Sequence, residues 1–431
     1  MPIPTTPYKG ARDFYPADKR IQKYIFKTMR RVVESFGYEE YDAPVLEPTD
    51  LYLSKGNAEI INDQTFTFQD RGGRSVTMRT EMTPTVARMI AARRQELAYP
   101  VRWYSIPQCW RYERTQRGRG REFYQLNVDI FGIEGLAADH EIIQAADKIM
   151  RAFKARRTMY TIKINSRQLV NSILTQYLGQ TAEQSVQLIR LIDRMHKLPP
   201  EEFMAQASSI MNNDATTAKL LSVLAINELN DLPSELRTHP SVAQLVELLQ
   251  LLDSTGITNA QFDITLMRGF DYYTDIVFEV FDNHPDNNRS MFGGGRYDGL
   301  LDIFGAEPVP TVGFGMGDIT LLNFLESHEL LPERPVETEL YVILIGDVYA
   351  QSLAITEQLR AEGIKVCVDA TGRKADKQLK TALKKGIHYV MFIGEQELND
   401  EQFLIRNLHT TIDERHSLAR VISVIKDYRS K

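Results

Sequence analysis

The sequence predicts a mixed α/β protein: a large α+β region, interrupted by a helical segment, followed by a smaller α/β domain. Three observations support this. Strand-like runs dominate up to about residue 165, Leu, Gln and Ala recur at helical spacing over residues 166–257, and strands alternate with helices after residue 338. We expect a first domain at residues 1–333, interrupted by an insertion at 166–257, and a second at residues 338–431.

Composition narrows the class of protein. A chain of 431 residues with 43% hydrophobic and 25% charged residues is typical of a soluble globular protein with two or three domains. No apolar run is long enough to span a bilayer, and the first residues lack the pattern of a secretory signal. Cys109 and Cys367 are far apart, which excludes a disulfide framework, and no protein motif for a metal site is found. We therefore expect a cytoplasmic protein.

The elements of the first region follow from hydrophobic spacing and turn residues. An amphipathic helix is closed by a glycine, a proline interrupts an edge strand, and a glycine pair marks a hairpin. In chain order we expect a helix at 18–36 ended by Gly37, a strand interrupted at Pro44, a hairpin around Asp70–Gly73, strands at 101–106 and 123–131, and a helix from about Ala138 to Lys154.

A loop between the last two of these strands concentrates positive charge, although the formal net charge of the chain is −6. Charge runs are usually solvated turns. In RYERTQRGRGREFYQ, however, every basic residue is arginine, which favours two-point contact with phosphate or carboxylate, and Gly118 and Gly120 allow a close backbone approach. We therefore favour a ligand-binding loop. Its arginines are Arg111, Arg114, Arg117, Arg119 and Arg121.

The strand that leaves this loop has polar side chains at alternate positions. Gln125, Asn127 and Asp129 share one face, and a buried polar face is costly unless it binds something. Glu81, in TMRTEMTP, has the chemistry to hold an ammonium group. RGFDYYT at 268–274 and FGGGRYDGL at 292–300 add an arginine, a tyrosine pair and three successive glycines. Each stretch alone is explained about equally well by ligand binding and by a structural role in a turn or in core packing.

Taken in order, these stretches resemble the histidyl-tRNA synthetases, a family of class II aminoacyl-tRNA synthetases. GARDFYP resembles the N-terminal signature of the family, YDAPVLEP the dimer-forming motif, and WRYERTQRGRGREFYQLNVDIFG the second class II motif. RGFDYYT and FGGGRYDGL resemble elements peculiar to histidyl enzymes. The resemblance covers nearly the whole chain. It implies an antiparallel catalytic sheet, a helical insertion and a C-terminal anticodon-binding domain.

The resemblance also implies roles for individual residues. Glu81 would hold the α-amino group of histidine, and Arg111 and Arg268 would be the catalytic contacts to the α-phosphate of ATP from opposite sides. The implied histidine-binding residues are Thr80, Glu81, Met82, Gln125, Asp129, Tyr272 and Tyr273; the implied ATP-binding residues are Arg111, Arg119, Arg121 and Arg268; and the implied tRNA-binding residues are Arg117, Arg373, Lys377, Lys380 and Lys384.

The implied reaction activates histidine with ATP and Mg²⁺ and transfers it to tRNA(His). The implied protein is a homodimer with no membrane partner. In the basic stretch TGRKADKQLKTALKKG, Lys377, Lys380 and Lys384 are expected to share one helix face, with Leu379 and Leu383 turned inward. Composition alone favours a solvated face, and the resemblance to an anticodon-binding domain favours contact with RNA phosphates.

One position departs from the family pattern. The third class II motif of the family carries an arginine for the γ-phosphate of ATP, and this chain has Thr320 there. We expect the arginine loop and Mg²⁺ to compensate. An alternative is a histidine-sensing paralogue, the regulatory subunit of ATP phosphoribosyltransferase, which predicts a missing anticodon domain and loss of the ATP-binding arginines. A bare RNA-binding protein is a third possibility, but it leaves the polar strand face unexplained.

Overall fold

The computed structural model describes residues 3–53, 64–267, 272–287 and 289–429. Two compact units divide the chain. The first comprises Met1–Tyr15 and Ile21–Leu331, and the second Pro16–Arg20 and Pro332–Lys431. Within the described ranges, no helix has both the length and the apolar character needed to cross a membrane. Each unit is built around its own sheet.

The first unit contains a large, mainly antiparallel sheet and a small one. Its strands are β1 (Glu39–Glu40), β2 (Leu46–Pro48), β3 (Thr67–Gln69), β4 (Ser75–Met78), β5 (Val101–Ser105), β6 (Gln108–Trp110), β7 (Glu122–Phe131), β8 (Tyr160–Ser166), β9 (Ala260–Phe262), β10 (Ile276–Asp282), β11 (Ser290–Arg296) and β12 (Thr311–Gly317). The nine-stranded sheet has the order β1-β5-β7-β12-β11-β10-β8-β9, with β6 paired to β7, and the small sheet has the order β2-β4-β3. Only the β1–β5 and β8–β9 pairings are parallel among these described strands.

The helices that begin before residue 331 lie between and around these strands. They are α1 (Pro16–Ser35), α2 (Thr49–Leu53), α3 (Thr83–Arg93), α4 (Leu136–Ala152), α5 (Arg167–Ser172), α6 (Ala182–Asp193), α7 (Pro200–Met211), α8 (Asp214–Leu224), α9 (Ser234–Arg237), α10 (Pro240–Ser254) and α11 (Asp318–Ser327). Helix α1 begins with Pro16 and is followed by Gly37 at φ +83°. A proline at the start and a left-handed glycine after the end delimit a helix well.

The main core of the first unit lies on one face of the large sheet. Leu126, Val128 and Ile130 of β7 are fully buried and pack with residues of α4 such as Ile142. Because side chains alternate along a strand, the intervening residues of β7 face the other way. This alternation separates the apolar core from the polar face that carries the candidate site.

The helical segment connects two neighbouring strands. Helices α5 to α10 lie between β8 and β9, which pair in parallel. A parallel pairing requires a crossover connection because the chain must return to the same end of the sheet. Leu188, Leu220 and Leu245 of this segment are buried within the same core cluster as the sheet. The segment therefore packs continuously with the sheet that it leaves and rejoins.

The second unit is a five-stranded sheet with helices. Its elements are β13 (Leu340–Leu344), α12 (Tyr349–Ala361), β14 (Val366–Asp369), α13 (Ala375–Lys384), β15 (Tyr389–Ile393), α14 (Glu395–Asp400), β16 (Phe403–Asn407), β17 (Asp413–His416) and α15 (Leu418–Arg429). The order is β14-β13-β15-β16-β17. The β14, β13 and β15 strands are parallel, whereas β16 and β17 are antiparallel. The predicted α/β class is confirmed, and three of the five described strands are parallel.

The inward face of α13 differs from the expected one. Leu383 is 52% exposed, so its predicted inward position is wrong. Gln378 and Ala382 are buried instead. The Gln378 amide accepts a hydrogen bond from Leu344 N at 3.0 Å and donates one to Leu344 O at 2.9 Å. A buried glutamine can fill an inward position when its polar atoms are satisfied in this way.

Candidate active site

The floor of the site is formed by the polar face of β7 and a neighbouring strand that carries glycines. Asn127 lies opposite Gly315 of β12, and Asp129 lies opposite Gly313. A Cβ atom at Gly313 would collide with the Asp129 carboxylate, and one at Gly315 would collide with the Gln125 amide. Glycine is therefore required on β12 because the polar side chains of β7 occupy the adjacent space.

Asp129 lies at the bottom of this polar face and is bonded to a tyrosine. Its carboxylate accepts a hydrogen bond from the Tyr297 hydroxyl, and both residues are buried. Burial raises the pKa of Asp129 to about 7, and the Tyr297 hydrogen bond opposes that rise. Asp129 therefore changes charge near neutral pH when the pocket is empty.

Three tyrosine rings cluster beside Asp129. The ring centroids of Tyr272 and Tyr273 are 5.0 Å apart, and Tyr297 lies 5.5 Å from Tyr272 and 6.0 Å from Tyr273. These separations are within the range of favourable tilted and edge-to-face contacts. The sequence interpretation identified Tyr272 and Tyr273 but missed Tyr297. The signal was present in FGGGRYDGL, where Tyr297 shares the alternation of Gly293 and Gly295.

Glu81 adds a second buried carboxylate to the site. The Tyr272 hydroxyl donates a hydrogen bond to Glu81 Oε2 at 3.4 Å, which links Glu81 to the tyrosine cluster. Burial raises the pKa of Glu81 to about 7, and the positive charge of Arg111 opposes this rise. Two carboxyls with raised pKa values in one pocket favour a cationic ligand.

The connection that carries Glu81 is fixed to the start of the arginine loop. Thr80, Glu81 and Met82 lie between β4 and α3, and all three are buried. Arg111 follows β6 directly, and its Nε donates a hydrogen bond to Thr80 O at 3.0 Å. The guanidinium also lies 5.3 Å from the centre of the Phe123 ring. These contacts hold the Arg111 charge beside the Glu81 pocket.

Within the loop, the Glu113 carboxylate forms ion pairs with two of the arginines. Its carboxylate lies 3.2 Å from Arg119 Nη1 and 3.9 Å from Arg111 Nη1. The sequence interpretation missed Glu113 because it considered only the positive charges of this stretch. An acidic residue among five arginines was the available signal, since an internal carboxylate fixes the geometry of guanidiniums that would otherwise repel one another.

The other loop arginines differ in how they are held. Arg121 donates to Glu113 O at 3.2 Å and to the Tyr8 hydroxyl at 2.9 Å, and its guanidinium lies 4.0 Å from the centre of the Tyr112 ring. Arg117 donates to Asp286 O and Ser327 Oγ, both at 3.3 Å. Arg121 and Arg117 are therefore held by carbonyl and hydroxyl oxygens, whereas Arg119 is held by the Glu113 carboxylate.

Thr320 lies on the first turns of α11, close to the tip of the loop. Its hydroxyl donates to Met291 O at 2.8 Å and approaches Gly317 O at 3.2 Å. The side chain therefore faces the backbone of β11 and of its own helix, and it carries no charge.

The structure brings together most of the candidate residues of the first unit. Glu81, Arg111, Tyr272, Tyr273 and Asp129 are linked by the contacts described above. Arg268 lies outside the described residues. The basic candidates Arg373, Lys377, Lys380 and Lys384 belong to the second unit, where Arg373 is bonded to Asp369 Oδ2 at 3.2 Å and the three lysines are exposed.

Fold and site together define a class II aminoacyl-tRNA synthetase: an antiparallel sheet carrying a carboxylate pocket beside an arginine-rich loop. The histidyl-tRNA synthetase family model matches residues 10–319, and the anticodon binding domain model matches residues 339–428. The chain belongs to the histidyl-tRNA synthetase family.

Individual relatives agree with this assignment. The chain is 38% identical to a histidine–tRNA ligase of Leptospira biflexa over 100% of this chain and 99% of that protein. It is 36% identical to a histidine–tRNA ligase of Thermoplasma volcanium over 97% of each chain. The crystal structure of histidyl-tRNA synthetase from Nostoc sp. has the same fold, with a TM-score of 0.84 at 23% identity, covering 99% of this chain and 100% of that one.

Replacing Asp129 by Asn tests the buried carboxyl. Because the folded-state pKa, about 7, exceeds the ordinary value of 3.8, wild-type stability is lost as pH rises between these values. Asp129→Asn removes this loss. Between pH 5 and pH 7 the wild type should therefore lose about 2–3 kcal/mol more unfolding free energy than the variant, measured by thermal unfolding without ligand. The exposed control Asp193→Asn should follow the wild type, and a wild-type profile for Asp129→Asn would contradict the assignment.

Proposed function

We propose that this chain is a histidine–tRNA ligase, which forms histidyl-adenylate from histidine and ATP and transfers the histidyl group to the 3′ end of tRNA(His). The observation that carries the proposal is the pair of buried carboxyls, Glu81 and Asp129, placed in one pocket beside Arg111. Histidine has an ammonium group and an imidazole that each complement a carboxylate. A chain of the histidyl-tRNA synthetase family with this pocket is suited to select that amino acid.

Histidine is held in this proposal by groups at the two ends of the pocket. Glu81, with Thr80 and Met82 around it, binds the α-ammonium group. Gln125 and Asp129 bind from the β7 face, and Tyr272 and Tyr273 orient the imidazole ring. An amino acid of similar shape without ring nitrogens would leave a buried polar group unpaired. Such a mismatch can reject an analogue by a factor of about 10⁴ or more.

The first chemical step is attack by a carboxylate oxygen of histidine on the α-phosphorus of ATP. The new O–P bond forms while the bond to the bridging oxygen breaks, and pyrophosphate leaves. Negative charge on the phosphate oxygens is stabilised by fixed cations in the transition state. We assign this role to Arg111, supported by its position beside Glu81, and to Arg268 from the sequence pattern. In the second step the 3′-terminal ribose hydroxyl attacks the histidyl carbonyl, and AMP leaves.

ATP enters as its Mg²⁺ complex, whose metal ion we regard as part of the substrate. Mg²⁺ is commonly held by substrate phosphates with only one or two protein carboxylates. Arg119 and Arg121 are assigned to the outer phosphates and the acceptor end of tRNA. Arg119 is half exposed and needs only to rotate from Glu113 to reach an anion. Arg121 is constrained by two tyrosines and contributes from a fixed position.

The second unit is proposed to bind the anticodon region of the tRNA. This part of the chain matches the anticodon binding domain model, and α13 exposes Lys377, Lys380 and Lys384. Lysines contact RNA phosphates without reading sequence. Arg373 and Arg117 are proposed as further tRNA contacts. The insertion at residues 166–257 and the boundaries at 333 and 338 are retained as the proposed domain division.

We also propose that the protein is a homodimer that works in the cytoplasm. Val45, Leu46, Leu53 and Phe68 are exposed apolar residues on or beside β2, β3 and α2, and a second copy of the chain would cover them. Sedimentation velocity at micromolar concentration distinguishes the dimer from a monomer. Both cysteines are unpaired, which suits a reducing compartment.

The regulatory paralogue of ATP phosphoribosyltransferase is not favoured. That alternative predicts a missing anticodon domain, whereas residues 339–428 match one. It also predicts loss of the ATP-binding arginines, whereas Arg111 is present and held beside Glu81. The relatives from Leptospira biflexa and Thermoplasma volcanium, which match over 97% or more of each chain, are histidine–tRNA ligases.

Histidine-dependent ATP–pyrophosphate exchange by the purified protein tests the proposed activity. The wild type should exchange, and Arg111→Ala should lower the rate by about 10²–10³ because it removes a fixed cation at the α-phosphate. Arg114→Ala, on the same loop but exposed, is the matched control and should retain wild-type exchange. A folded wild type that shows no histidine-dependent exchange would exclude the ligase.

A triple alanine variant at Lys377, Lys380 and Lys384 tests the RNA face of α13. Binding of tRNA should weaken. The slope of log binding constant against log salt concentration should become shallower by about one unit for each of these lysines that binds a phosphate in the wild type. Exchange without tRNA should stay at the wild-type rate. Lys426→Ala is the control, because Lys426 already pairs with Glu362 at 2.6 Å. An unchanged salt slope in the triple variant would show that this face is only solvated.

A further inference from the structure

The Arg289 guanidinium contacts the backbone of the arginine loop near its tip. Arg289, in the connection from β10 to β11, donates from Nη1 to Arg117 O at 2.8 Å. Arg117 itself donates to a carbonyl and a hydroxyl, at Asp286 and Ser327. Among the residues that the structure describes, neither guanidinium forms an ion pair with a carboxylate within 4.0 Å. No carboxylate among these residues therefore balances either positive charge.

Two other guanidiniums of this region are paired with carboxylates. Arg12 pairs with Glu122 at 3.1 Å and with Asp318 at 3.0 Å, and Arg119 pairs with Glu113. These carboxylates are thus already engaged. A guanidinium that has no carboxylate partner is available to form charge-assisted hydrogen bonds with a phosphate.

Gly118 lies where three side chains from other elements approach the loop backbone. A Cβ at Gly118, where φ is +80°, would lie 3.4 Å from Arg289 Nη1, 3.6 Å from Thr320 Cγ2 and 3.7 Å from Asn323 Nδ2. The Arg289 guanidinium is therefore within about 7 Å of the Thr320 methyl group. The Asn323 amide supplies a further N–H donor at the same place.

Thr320 itself brings no cation to this place. Its hydroxyl is bonded to Met291 O, and its methyl group faces the loop. Positive charge at the start of α11 must therefore come from another part of the chain. Among the described side chains nearest to Gly118, the positively charged one is Arg289, which belongs to the connection between β10 and β11.

We propose that Arg289 binds the polyphosphate tail of ATP beyond the α-phosphate, with Asn323 as a second donor. This inference rests on the proposed histidine–tRNA ligase activity and adds a binding residue to it. A phosphate of the tRNA backbone has the same chemistry as a phosphate of ATP. The tail of ATP is preferred because Arg289 bonds to the loop that begins with Arg111, the proposed α-phosphate contact.

The test compares ATP with AMP in the wild type and in Arg289→Ala. A hydrogen bond to a charged group corresponds to about 10- to 100-fold in affinity. Arg289→Ala should raise KM for ATP in the exchange assay by that factor and raise KM for pyrophosphate similarly. Its affinity for AMP and its KM for histidine should stay at wild-type values. Arg289→Lys, which keeps the charge, should recover part of the loss. Arg190→Ala, on the exposed face of α6, is the matched control and should change none of these constants.

Three results would overturn the inference. Equal weakening of ATP and AMP would show that Arg289 acts by supporting the loop backbone at Arg117. An increased KM for tRNA with unchanged constants for ATP and pyrophosphate would assign Arg289 to the tRNA backbone. Unchanged constants for all ligands would leave it without a binding role. Exchange by the wild type separates each of these from failure of the proposed activity itself, in which no wild-type exchange is seen.

Discussion

Burial of two carboxyls in one pocket is the constraint on which the rest of the site depends. Glu81 and Asp129 are removed from water, and burial disfavours their charged forms. The fold tolerates this because tyrosine hydroxyls bond to both groups and because glycines on β12 leave room for the polar face of β7. A ligand with two positively polarised ends would stabilise the charged forms of both carboxyls, which burial disfavours. We propose that selection of histidine depends on the unfavourable electrostatic energy of these two buried carboxyls.

The arginine loop follows from the same separation of charge. The chain has a formal net charge of −6, so attraction of a nucleotide depends on local cations rather than on the field of the whole protein. Glu113 holds Arg119 and lies near Arg111, whereas Arg117 and Arg289 are bonded only to neutral groups among the described residues. Among the described residues, the loop therefore carries arginines paired with Glu113 and arginines bonded only to neutral groups, and Arg289 adds a further charge beside its tip.

The sequence predicted the features that depend on alternation along one strand or on the composition of one loop. The polar face of Gln125, Asn127 and Asp129 and the loop between two paired strands follow from such local rules. Tyr297 was missed because its contact with Asp129 joins residues 168 positions apart. Likewise, local periodicity did not show that Gln378 is buried in place of Leu383, since backbone groups of β13 satisfy the glutamine. Contacts between distant segments determine these features.

The most direct test of the central claim is an infrared difference spectrum of the ligand-free protein and its histidine complex at pH 6. Below the raised pKa values of about 7, both carboxyls are largely protonated, so the free protein should show buried carboxylic-acid C=O absorption. Addition of histidine should reduce this absorption and increase that of carboxylate. Glu81→Gln and Asp129→Asn should each remove part of the change. A free protein without buried carboxylic-acid absorption at pH 6 would contradict the account.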